Sequence, residues 1–489
     1  MNILVIDVGT SSVRAALVSP MATVVDEHRR TCLPSSPAAG MVEFDAAAMR
    51  DAVLGVTTSL LNAHPEPVAA VGIATQRAST LIWDRATGEP LGPGLGWQDL
   101  RTLGTCLGLQ GEGVRLAPNQ SATKVAWLLD TFDAERSRDL CFGTIDSWVA
   151  WTLSGGEAHV TDLSNAALTG LLDTAQAPWT TPGGDPWNGR LLSLLGIPRA
   201  ILPSLVDTSG VIATASVLRG SPPICSLVGD QQASLAGQGV VAPGTAKITF
   251  GTGGMLDMVV GPQPQVTGGR NRGGTFPIVT WRRHAEATWG VEAIMLSAGT
   301  NVEWLRDDLG LIDSVEESDE LASQCADAGG VTYVPALLGL GTPRWDYGAR
   351  GTLLGLTRGS GRAEVVRAVL EGVAHRGADL VEAAETDTDQ RIDTVRIDGG
   401  MSRNATFVQA LADATGRRVE VSPVVEATAL GAGLLAGLEV GIWDSWSDLA
   451  ATWQPHAVVD PAGPADRERW QRAVERAADW IPELSNLDF

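Results

Sequence analysis

The sequence predicts an α/β protein of two like-folded halves facing each other across a cleft. The first observation is residues 3–19, ILVIDVGTSSVRAALVS. An apolar, β-branched run at 3–6 ends at Asp7, a Gly-Thr-Ser-Ser turn follows, and residues 13–18 return as a second strand. The second is that FGTGGMLDMVV at 250–260 repeats the pattern of VGTSSVRAALV at 8–18: a bulky residue, Gly-Thr, two tiny residues and an apolar run. Gly251 follows Gly9 by 242 positions, close to half of the 489, and a copied supersecondary unit at mid-chain points to duplicated halves. Length is the third observation, because 489 residues exceed what one core usually supports. Two domains are therefore expected, at 1–240 and 241–489.

The hairpin tip at 8–12 carries a glycine, small hydroxyls and free backbone N–H groups, which together can form a concavity for anionic oxygens. Asp7 beside it supplies the carboxylate through which Mg²⁺, itself bound to phosphate oxygens, would be held. Taken alone, the stretch suits an ordinary glycine hairpin equally well. The second copy at 250–260 favours a pair of phosphate loops on either side of a nucleotide. Neither loop is a Walker A sequence.

Further along, Asp45 is placed to cap a helix through about residue 61, and 68–74 reads as a buried strand ending in Thr75, Gln76, Arg77 and Ala78. Polar residues at a strand's carboxyl end commonly line a ligand crevice. A strand at 80–83 and a turn at 84–89 lead to Gly96-Trp97-Gln98-Asp99, an aromatic among hydrogen-bonding side chains, as a site for a polyol's carbon skeleton requires. For Trp97 by itself, one of 16 tryptophans, packing in the core is the better reading. Residues 239–244 read as a hinge. A helix is expected over about 291–308, and a strand at 395–398 runs into Gly399-Gly400 before a helix that stops at Gly416.

Composition narrows the partners. With 44% hydrophobic and 19% charged residues the chain has ample core, and a net charge of −22 argues against nucleic acid or an anionic membrane. The five cysteines are scattered without metal-ligand spacing, which fits a reducing cytoplasm, and no signal peptide is expected before the first strand. The most lipid-like stretch, 427–438, is too short to span a bilayer and reads as a buried helix. Only Lys124 and Lys247 occur among 35 basic residues, so both are read as places that need a compact ammonium, with chance survival at exposed positions as the alternative.

The paired hairpins resemble the actin, Hsp70 and sugar-kinase superfamily, which implies two actin-like (ribonuclease H-like) domains with an ATP cleft between them. The segments ATQRASTLIWDRATGEPLGPGLGWQDLRT (74–102), SATKVAWLLD (121–130), FGTIDSWVAWTLSGGEAHVTDLSNA (142–166), VGDQQASLAGQG (228–239) and VPALLGLGTPRWDYGARGTLLGLTRG (334–359) resemble the FGGY carbohydrate kinases, most closely their glycerol-kinase branch. The resemblance implies Asp230 as catalytic base and Asp7 and Asp230 as metal ligands. It implies nucleotide contacts at Thr10, Ser11, Ser12, Arg14, Thr252, Gly299, Glu303, Gly400 and Asn404, with Glu303 replacing the family's usual Gln. The substrate contacts it implies are Arg77, Ala78, Trp97, Asn119, Asp230, Gln231 and Met255. Three of these depart from the glycerol-kinase pattern: Ala78 stands for a Glu, Asn119 for a Tyr and Met255 for a Phe. The vacated space points to a four- or five-carbon polyol or ketose, with glycerol itself in a diverged pocket as the alternative. A sugar sensor that binds ATP without catalysis is the alternative of another class. The loop at 219–223 lacks the Arg through which some members of that branch answer fructose bisphosphate. ATP and Mg²⁺ are the expected cofactors, and a homodimer is left open.

Overall fold

The computed structural model describes residues 1–173, 177, 185–264, 269–423 and 426–487. β1 (Ile3–Val8) pairs antiparallel with β2 (Ser12–Val18), and β2 with β3 (Val24–Thr31), so the first hairpin forms as its sequence requires. Helix α1 (Ala46–Ala63) starts at Asp45, whose side chain accepts from Ala48 N. β4 (Val71–Thr75) lies parallel to β1, and after helix α2 (Ala122–Phe132) the chain returns through β5 (Ser209–Thr214) and β6 (Pro223–Gly229). β6 runs parallel to β4 on the side opposite β1 and leads straight into helix α3 (Asp230–Gly237).

The second half repeats the opening. β7 (Ala246–Phe250) and β8 (Gly254–Gly261) form the expected second hairpin, flanked by β9 (Phe276–Arg283) and β10 (Glu286–Met295). Helix α4 (Thr300–Asp307) and the long α5 (Arg362–Thr388) follow. β11 (Thr394–Asp398), α6 (Ala405–Thr415), β12 (Arg418–Val421), α7 (Ala427–Glu439) and β13 (Ala457–Val459) complete the set. These thirteen strands form one sheet, ordered β13-β12-β11-β7-β8-β10-β9-β5-β6-β4-β1-β2-β3, and among the described residues three smaller sheets lie outside it, the expected strand at 80–83 falling in a four-stranded one. The halves meet in the large sheet where β5 lies parallel to β9, with Ser209 opposite Arg283.

One sequence expectation is corrected here. Residues 291–295 belong to β10 rather than to a helix, and α4 begins only at Thr300. Pairing of β10 with β8 on one side and β9 on the other overrides the helix propensity of its Glu-Ala-Ile-Met run.

Period-two alternation splits the first-half sheet into two faces. Leu4 and Ile6 pack with Val53 and Leu60 of α1, whereas Ile3 and Val5 pack with Leu430, Leu434 and Leu435 of α7. Thus α7, from the second half of the chain, covers strands of the first half. It crosses α3 so closely that a Cβ on Gly237 would lie 1.9 Å from Ala427 O, and one on Gly431 1.8 Å from Ala233 O. Gly431→Ala must push the helices apart and is expected to cost about 2 kcal/mol or more. A lowered Tm measures this, and an unchanged Tm would show that the crossing yields freely.

Candidate active site

Three parallel strands deliver their carboxyl ends to one edge. Thr75 at the end of β4 lies opposite Val8 of β1 on one side and Gly229 of β6 on the other. At a strand spacing of about 4.8 Å, Asp7, the Gln76-Arg77-Ala78 segment and Asp230 converge within roughly 10 Å. Gln76 Nε2 donates to Gly9 O at 3.2 Å, tying the β4 end to the hairpin tip. Thr10 Oγ1 accepts from Trp97 Nε1 at 3.3 Å, so the expected phosphate loop and substrate aromatic touch.

Asp7 is largely buried, with a side-chain exposure of 15%. Burial pushes its carboxyl up to about 6, against the opposing pull of Arg14 and with further upward pressure from Asp230. Arg14 Nη1 lies 4.0 Å from Asp7 Oδ2 and pairs with Glu426, just ahead of α7. The first hairpin is therefore tethered to the second half of the chain by an ion pair.

Asp230 opens α3, its Oδ1 accepting from Gln231 N at 2.8 Å and lying 3.5 Å from Arg77 Nε. Burial raises its carboxyl above the usual range, and the Arg77 guanidinium opposes that rise. Arg77 Nη2 donates to Glu292 on β10 at 2.7 Å, and Nη1 reaches Gln232 Oε1 at 3.5 Å. Gln231 Oε1 accepts from Lys247 Nζ at 2.6 Å, and Lys247 forms an ion pair with Asp257 at 2.8 Å. Lys247 and Asp257 are wholly buried.

Three of the expected substrate residues form a second group. Trp97 is 40% exposed, and Asn119 is also exposed. Lys124 on α2, itself fully buried, donates through Nζ to Gly96 O at 2.8 Å, Trp97 O at 3.0 Å and Asn119 O at 3.4 Å. One ammonium with three donors thus pins both loops, as a planar guanidinium could not. Ala78 is buried and adopts a left-handed backbone, with φ of 60°. Lys124→Met should release the Trp97 and Asn119 segments and raise the KM of the acceptor by about tenfold, with the KM of ATP unchanged. Steady-state kinetics with each substrate varied decides it: an unchanged acceptor KM would reduce Lys124 to packing.

The expected nucleotide residues lie mainly in the second half. Thr252, exposed at the second hairpin tip, accepts through its carbonyl from Ala298 N at 2.8 Å, and Gly299 N donates to Gly251 O at 2.8 Å. A Cβ on Gly299 would stand 2.6 Å from Gly251 O, so glycine is required there. Glu303 is exposed one turn into α4. Met255, half-buried beside Thr252, sits on β8 opposite Thr249. Gly399 has φ of 87°, and the following Gly400 is exposed, with no atom within 4 Å of an added Cβ. Both polar ends of Asn404 are engaged within the protein: Oδ1 caps α6 by accepting from Phe407 N, and Nδ2 donates to Ser318 Oγ. Of the first hairpin's set, Ser11 is exposed and Ser12 half-buried at the start of β2.

Sequence reasoning missed Glu292 and Asp257. Each is an acid inside an apolar strand, VEAIM and MLDMV, where a charge is tolerated only with a partner, and that pattern could have found them.

Known proteins resemble this chain over its full length. Residues 2–237 match the N-terminal domain and 246–440 the C-terminal domain of the FGGY family of carbohydrate kinases. Glycerol kinases of Dechloromonas aromatica and Aromatoleum aromaticum are 41% and 40% identical, across 98% of this chain and 98% and 99% of theirs. The crystal structure of Plasmodium falciparum glycerol kinase with ADP superposes with a TM-score of 0.89 at 26% identity, covering 97% of this chain and 98% of that one. A ligand-bound xylulose kinase from Lactobacillus acidophilus superposes at 0.85 and 20% identity, over 99% and 98% of the two chains, and so shares the fold. With full-length similarity and both family domains matched, this chain belongs to the FGGY family of carbohydrate kinases, phosphotransferases with an alcohol as acceptor.

Proposed function

We propose that this kinase transfers the γ-phosphoryl group of ATP to a hydroxyl of a four- or five-carbon polyol or ketose. The observation that carries the reading is that Ala78, Asn119 and Met255 depart from the glycerol-kinase pattern while Arg77, Trp97, Asp230 and Gln231 keep it. Ala78 offers no side-chain acceptor, Asn119 stays exposed, and Met255 is a flexible side chain able to repack around a longer chain.

In this reading Asp230 accepts the proton of the attacking hydroxyl. A new O–P bond forms at the γ-phosphorus, the bond to the bridging oxygen breaks, and ADP leaves. A carboxylate suffices, because in a loose phosphoryl-transfer transition state orienting the nucleophile outweighs basicity. Arg77, anchored by Glu292, keeps the Asp230 carboxylate in place. Thr10, Ser11, Ser12, Arg14 and Thr252 hold the phosphates, and Gly299, Glu303 and Gly400 the rest of the nucleotide, with Asn404, its side chain engaged by Phe407 N and Ser318, ordering the turn after Gly400. Mg²⁺ would be held by Asp7 and Asp230, two carboxylates whose proton affinity burial raises, Asp7's further through the charge of Asp230, while Arg14 and Arg29 oppose the rise at Asp7 and Arg77 and Lys247 oppose it at Asp230. Bound there, it would neutralise charge on the phosphate oxygens.

Glycerol as the acceptor is the second reading, favoured by the 41% full-length identity to a glycerol kinase. All five cysteines are free, which fits a cytoplasmic setting, and among the described residues no helix is long and apolar enough to cross a membrane. Values of kcat/KM for glycerol, erythritol, the pentitols, erythrulose, xylulose and ribulose separate the two readings. A lead of about tenfold or more for glycerol would overturn the larger acceptor.

A further inference from the structure

Two strands of the second half bring a buried ion pair to Gln231. Lys247 on β7 and Asp257 on β8 face each other in register, are wholly buried, and pair at 2.8 Å. Lys247 Nζ donates onward to Gln231 Oε1 at 2.6 Å and to Thr249 Oγ1 at 3.0 Å. An ammonium has donors only, so the amide beside it must turn its oxygen inward, and its NH₂ then points the other way. We infer that Lys247, held by Asp257, is a positioning residue that fixes Gln231 as a hydrogen-bond donor to an oxygen of the acceptor. This rests on the reading of Gln231 as a substrate contact.

The arrangement divides labour between neighbours. Asp230 can only accept from the acceptor molecule and Gln231 can only donate to it, so hydroxyl and carbonyl oxygens are both suitable partners for Gln231. The anchor is costly by itself: either charge alone in this interior would be destabilising, so each requires the other. A pair serving stability alone could be apolar, because buried ion pairs are often replaced by hydrophobic residues without loss. What an apolar pair could not do is hold the amide oxygen inward.

The test uses the full-length enzyme with glycerol, erythritol and D-xylulose as acceptors, in a double-mutant cycle against Gln231→Ala. The variant Lys247→Met/Asp257→Leu removes both charges together. It is expected to raise the KM of the best of these acceptors by about tenfold. The KM of ATP should stay within about threefold, and in the Gln231→Ala background the same pair of substitutions should add nothing further. Should the double variant not fold, Asp257→Asn, nearly isosteric, carries the same cycle with a smaller rise. An unchanged acceptor KM, or an equal loss in the Gln231→Ala background, overturns the inference while leaving the site intact. Wild-type kinetics in Gln231→Ala would overturn the substrate-site reading itself and this inference with it.

Discussion

Asp230→Asn is expected to lower kcat by about 10² to 10⁴, the range for losing a general base, with little change in the KM of ATP. The substitution keeps the shape of the side chain and removes its charge. Arg77 retains its 2.7 Å bond to Glu292, so the β4 end stays anchored and the loss is chemical rather than conformational. Gln231 N loses a charged acceptor at 2.8 Å, but an amide oxygen can still accept from it. Single-turnover measurement at saturating acceptor isolates the transfer step. Wild-type turnover in this variant would move the proton acceptor elsewhere. Closure about the hinge expected at 239–244 would exclude water from the γ-phosphate, so hydrolysis of ATP without acceptor should be slow, and a basal rate equal to turnover would contradict it.

Ala78→Glu combined with Asn119→Tyr is expected to shift the ratio of kcat/KM for glycerol over the longer acceptors by about 10² or more. Ala78 is already left-handed with its Cβ in place, so a longer side chain adds no new backbone strain. It is also buried at the strand end shared with Arg77, so a carboxylate there has to find a partner, and an acceptor hydroxyl is the partner a small polyol supplies. Asn119→Tyr restores the aromatic of the glycerol-kinase pattern on an exposed segment whose backbone Lys124 already holds. An unchanged ratio would show that acceptor length is set by residues other than these two.

The sequence by itself determined the duplicated halves, because a β-strand followed by Gly-Thr and tiny residues is a local pattern that forms the same hairpin at residues 8–12 and 250–254. It likewise put Asp7 at the end of one apolar strand and Arg77 just past another, runs whose favourable burial is in a parallel sheet, whereas Asp230 is expected only from the resemblance of its Gly229-Asp230-Gln231-Gln232 motif. Asp45 as a cap and 427–438 as a buried helix are legible for the same reason, being short-range. Only the tertiary structure decided that α7 lies on strands of the first half, that residues 291–295 are a strand, and that Lys247, Asp257 and Glu292 gather beside the substrate motif. Glu292 meets Arg77 across 215 positions and α7 covers strands of the other half, whereas the Lys247–Asp257 pair, set by the β7–β8 hairpin, acquires its role only when Gln231 of the other half arrives. Sheet pairing and the desolvation of a charge take their sign from the neighbour that arrives, and for Glu292 and α7 no local window along the chain contains that neighbour.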